Sequence, residues 1–76
     1  MKQYVSVEAR FDEDGNLLPL RICWEDGRRF EIDKITDVRF APSLKSGGVG
    51  LRYTCRIGSN QRYLYFDENR WFIEST

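Results

Sequence analysis

The sequence has no histidine, only two cysteines, and no acidic residue between Asp37 and Asp67. Without histidine the chain lacks the commonest general base and the commonest metal ligand, and zinc-finger spacing is excluded. Cys23 and Cys55 are too few for a disulfide scaffold, so reduced thiols are expected. No apolar run approaches the ~20 residues a membrane span needs, and Met1-Lys2-Gln3 leads into alternating residues rather than an apolar leader segment. A soluble, cytoplasmic protein with no membrane partner is the expectation. Twelve Lys plus Arg balance twelve Asp plus Glu, which argues against binding nucleic acid or anionic membrane by bulk charge. Seventy-six residues leave room for a single domain, residues 1–76.

What is abundant is aromatic side chain. Five Phe, four Tyr and two Trp can each bury ~150–250 Å², so a compact core is attainable without metal, cofactor or disulfide. Their spacing has period two. Val5, Val7, Ala9 and Phe11 alternate with Ser6, Glu8 and Arg10, and Asp12-Glu13-Asp14-Gly15-Asn16 then forms a turn. Leu18, Leu20, Ile22 and Trp24 are assigned the inner face of a second strand, whose start at Pro19 belongs on an edge. A loop at Glu25-Asp26-Gly27 with Gly27 left-handed pairs Ile22 with Phe30 and Arg21 with Glu31, whereas a two-residue turn would set polar against apolar. The apolar phase slips near Asp33-Lys34 and again near Thr36-Asp37, which predicts bends or bulges there.

Beyond a Pro- and Gly-containing loop over residues 41–50, Val49, Leu51, Tyr53, Cys55 and Ile57 alternate with Arg52, Thr54 and Arg56. Arg62 to Asp67 and Arg70 to Glu74 supply two more strands around a tight turn at Glu68-Asn69. No window has sustained helical spacing. The predicted fold is all-β, a small antiparallel five- or six-stranded SH3-like barrel or rolled sheet that closes its own edges, with an OB-like barrel less suited to so short a chain.

Motifs for chemistry are sparse. In Asp12-Glu13-Asp14-Gly15-Asn16 the glycine falls at the fourth position of a calcium loop rather than the sixth, and Cys23 stands at the twelfth, so a solvated turn is expected. Ser46-Gly47-Gly48-Val49-Gly50 lacks the Gly-Lys-Ser/Thr ending of a phosphate loop and precedes a strand, so a flexible connection is expected. Cys55 falls on the inner face with no histidine to activate it, and Cys23 faces outward opposite Arg29. No enzyme activity, cofactor, metal site or small-molecule substrate is implied.

One surface stands out. Arg39, Lys45, Arg52, Arg56 and Arg62 give the span between Asp37 and Asp67 a charge of plus five, leaving minus five elsewhere. A turn centred on Ser59-Asn60 would pair Cys55 with Leu64 and Tyr53 with Phe66 inside, and Arg56 with Tyr63, Thr54 with Tyr65 and Arg52 with Asp67 outside. A turn at Glu68-Asn69 then sets Tyr65 opposite Phe72. Arg52, Arg56, Tyr63, Tyr65 and Phe72 would share an outer face of the composition found in protein interfaces and in single-stranded nucleic-acid platforms. The alternative is that these aromatics are ordinary cross-strand pairs covered within a tightly rolled barrel.

The stretch from Ile22 to Arg39, with Arg52-Tyr-Thr-Cys-Arg-Ile and Arg70-Trp-Phe-Ile-Glu, resembles small bacterial proteins of unknown function. More loosely, Leu20 to Glu74 resembles an uncharacterised domain following the catalytic part of some Y-family-like DNA polymerases, through Ile35-Thr36-Asp37-Val38-Arg39 and Arg70-Trp71-Phe72. The resemblance implies a small barrel and carries over no activity or site residue. The sequence-level expectation is a non-catalytic interaction module, making protein contact or self-associating through the Arg/aromatic face. The alternative is single-stranded nucleic-acid binding by that same face.

Overall fold

Turn chemistry orders the chain in the computed structural model, which describes residues 2–42 and 49–74. The Asp12 carboxylate accepts the backbone N–H of Asp14 at 2.9 Å and of Asn16 at 2.8 Å, so this loop is a self-capped reversal. Gly27 adopts φ 92° and donates to Trp24 O at 3.0 Å, the three-residue hairpin expected from the apolar pattern. Gly58 at φ 61° begins a two-residue turn and donates its N–H to Asp33 Oδ2 at 2.7 Å. Glu68 and Asn69, at φ 49° and 62°, both occupy the left-handed region that a primed two-residue hairpin requires.

The described residues form seven strands: β1 (Lys2–Phe11), β2 (Leu17–Cys23), β3 (Arg29–Glu31), β4 (Lys34–Pro42), β5 (Val49–Ile57), β6 (Asn60–Asp67) and β7 (Arg70–Glu74). They form one antiparallel sheet in the order β3-β2-β1-β7-β6-β5-β4, curled into a half-barrel. The all-β rolled sheet anticipated from alternation is thus observed. Seven strands replace five or six because the chain breaks at Ile32-Asp33, the first predicted bend. The second slip is a bulge between Ile35 and Asp37. Among the described residues no helix is long and apolar enough to cross a membrane.

The concave face holds the core. Ile22, Tyr53, Cys55 and Leu64 are buried there, with Val5, Val7, Phe30, Leu51, Phe66 and Trp71 packed against them. One expectation changes on β2. Ala9 pairs with Pro19 while Glu8 pairs with Arg21, so Leu20 is a bulged residue, exposed, and Pro19 is buried in its place. Leu18 accordingly pairs with Arg10, and Leu17 with Phe11.

Among the described residues no hydrogen-bonded ladder closes the half-barrel. β3 and β4 lie at opposite ends of the strand order with no ladder between them, although only Ile32 and Asp33 separate them in the chain. Asp33 N–H bonds Arg56 O at 2.9 Å and its carboxylate takes the Gly58 N–H. The roll is therefore tied at this corner. β3 is three residues long against nine for β4, too short to follow it, so the seam stays open along β4.

Candidate interaction surface

Alternation and the Glu68-Asn69 turn build a cross-strand row on the convex face. Arg39 pairs with Arg52, Arg52 with Tyr65, Tyr65 with Phe72, and Phe72 with Tyr4. Tyr65 and Phe72 stack with centroids 5.0 Å apart and planes at 4°, and Tyr4 meets Phe72 edge-on at 5.8 Å. Cations decorate the row: Arg52 Cζ lies 4.7 Å from the Tyr63 ring centroid, Arg70 Cζ 3.5 Å from that of Tyr4, and Lys2 Nζ 4.8 Å from that of Phe72.

Of the five residues predicted for this face, Arg52, Tyr63, Tyr65 and Phe72 are brought together. Arg56 is not. It pairs with Gln61 and Lys34 at the end of the sheet, because the turn occupies Gly58-Ser59 and joins Ile57 to Asn60. The anticipated pairs slip accordingly: Tyr53 meets Leu64, Thr54 meets Tyr63 and Arg52 meets Tyr65. Burial corrects the expectation further. Tyr65 is 0% and Phe72 2% exposed, and Arg52 and Tyr63 are half-buried, so the row is a second packed layer rather than an aromatic platform open to solvent.

Ion pairs sit at both ends of the strand order. On β1–β3, Arg21 bonds both Glu8 and Glu31, the second at 2.6 Å, and the Arg21 hydrogen bond holds the Glu8 carboxyl below its ordinary range. On β4, Arg39 Nε donates to Asp37 Oδ2 at 2.7 Å, and this bond, aided by the charge of Arg52, lowers the Asp37 pKa. The thiols take the predicted sides. Cys23 is on the convex face with Sγ 3.7 Å from Glu8 Oε2, while Cys55 is buried and its pKa is pushed up to about 11, keeping it protonated at neutral pH.

No family model, curated protein or solved structure matches this chain. Among the described residues, no group of three or more His, Cys, Asp or Glu side chains is placed to hold a metal ion.

The surface that sequence reasoning missed is the open seam. Val38 is 45% and Phe40 76% exposed, although both belong to the concave, apolar side of β4. Across the seam a groove of about 480 Å³ is lined by Phe11, Leu17, Val38, Leu51, Tyr53 and Phe66. Alternation puts Val38 and Phe40 on one face of their strand but carries no information on whether a neighbouring strand covers them. The slip in apolar phase near Asp33-Lys34 is the available signal, since it cuts β3 to three residues, too few to pair along the nine of β4.

Proposed function

We propose that this domain is a non-catalytic interaction module whose contact surface is the free edge of β4 and the apolar groove beside it. The observation that carries the reading is Phe40, three-quarters exposed on an unpaired strand edge. An edge of this kind offers unpaired N–H and C=O groups to an incoming strand, and alternate side chains supply selectivity. The two unpaired thiols suit a reducing cytoplasm.

The rival reading, single-stranded nucleic acid on the convex face, needs aromatic faces free to stack on bases. Burial of Tyr65 and Phe72 removes two of them. Immobilised wild-type domain, Phe40→Asp and Arg52→Glu are to be compared for polypeptide capture, with titration of a labelled single-stranded oligonucleotide alongside. Capture should be lost with Phe40→Asp, kept with Arg52→Glu, and little affected by salt because apolar burial dominates. Oligonucleotide binding that weakens with salt, by a slope of roughly −0.7 per phosphate contact, and that disappears with Arg52→Glu would instead support the rival.

A further inference from the structure

The two open edges differ. β3 offers three residues beginning at Arg29 and following Arg28, and short charged edges resist pairing. β4 offers nine, and its only irregularity lies between Ile35 and Asp37.

The direction of its main-chain groups follows from the turn at Gly58-Ser59. Ile57 and Asn60 flank a two-residue turn and so exchange both backbone bonds, and alternation then gives Tyr53 and Leu51 to β6. Thr54, Arg52 and Gly50 accordingly bond β4, through their partners Asp37, Arg39 and Ala41. Val38 and Phe40 are left with N–H and C=O directed away from the sheet.

Building on the edge reading above, we propose that the occupant of β4 is a second copy of this chain, paired antiparallel about a twofold axis at Val38. In this register Val38 and the partner's Val38 exchange two backbone bonds on the axis. Asp37 lies opposite the partner's Arg39, and Arg39 opposite the partner's Asp37, all four on the convex face. Charge selects this register over its neighbours. A slip of one pair in one direction sets Arg39 against the partner's Arg39, and in the other it sets Asp37 against the partner's Asp37; like charges directly opposite oppose pairing. Intermediate slips set outward-bonding residues against inward-bonding ones. On the concave side Phe40 comes to lie diagonal to the partner's Val38, covering the most exposed aromatic ring among the described residues. Zero net charge on each copy imposes no long-range repulsion.

Sedimentation velocity from about 1 to about 200 µM tests this with wild type, Asp37→Arg, Arg39→Asp and Phe40→Asp, spanning the range in which edge-paired interfaces of modest size associate. Wild type should pass from monomer to dimer with concentration. Asp37→Arg and Arg39→Asp should each weaken self-association about 30-fold or more, since each turns two opposite-charge pairs into like-charge pairs. An equimolar mixture of the two variants restores opposite charges at both pairs and should recover the dimer, which also shows that both variants are folded. A wild type monomeric throughout overturns the second copy alone, leaving the edge reading to the Phe40→Asp capture experiment. A dimer indifferent to both charge substitutions and to Phe40→Asp overturns the register and the edge reading together.

Discussion

Replacing Tyr53 with alanine is expected to remove about 4–6 kcal/mol, a large share of the stability of so short a chain. Tyr53 is 1% exposed, its ring lies 5.5 Å from that of Trp71, and its hydroxyl donates to Leu17 O at 2.5 Å. It is therefore the side chain that fastens β5 to the β1–β2 hairpin across the inside of the half-barrel. Deleting a buried aromatic ring costs about 3–5 kcal/mol, and the lost hydrogen bond adds about 1 kcal/mol. A chain of this length has a total stability of only about 4–11 kcal/mol at roughly 0.05–0.15 kcal/mol per residue. Tyr53→Phe keeps the ring and strands the Leu17 carbonyl, so it should lose only about 1–3 kcal/mol. Urea denaturation followed by tryptophan fluorescence separates the three proteins. Equal stability of wild type and Tyr53→Ala would mean that the two halves of the roll are not joined through this residue.

The second large effect concerns Phe72. Stacked on Tyr65 and buried on the convex face, it should cost about 3–5 kcal/mol when changed to alanine, as a core ring does. Phe40→Ala, on the open edge, should stay within about 0.5 kcal/mol of wild type. The contrast is visible in thermal melts: a loss of many degrees for Phe72→Ala and almost none for Phe40→Ala. A neutral Phe72→Ala would return the convex row to the surface and with it the stacking platform. The reverse ranking would place Phe40 in a packed interior and remove the free edge.

The strands were legible because half-buried β-structure writes a two-residue period into sequence, and Gly27 selected the first register through a loop that matched apolar with apolar. Misplacing the β5–β6 turn by one residue, at Ser59-Asn60 instead of Gly58-Ser59, moved every pair by two while leaving each side chain on its correct face. Gly58 at the first central position was the clue, because that turn type asks for glycine there. Leu20 was misassigned for a different reason. A bulge inserts one residue beside Pro19, and period-two reading has no term for an insertion it cannot see. The candidate site was less legible still. Alternation says which face a ring is on, yet Tyr65 and Phe72 on one face are buried and Phe40 on the other is exposed, because coverage depends on which strands end up adjacent.

Amide hydrogen exchange at Val38 and Phe40, followed by NMR at two protein concentrations, bears most directly on β4 as the contact edge. Their N–H groups point away from β5, whereas those of Arg39 and Ala41 point toward it. Arg39 and Ala41 should be protected at any dilution. Val38 and Phe40 should exchange freely in dilute protein and become protected as concentration rises. Protection of Val38 and Phe40 at the highest dilution, or free exchange at every concentration, would contradict a free edge that a second copy completes.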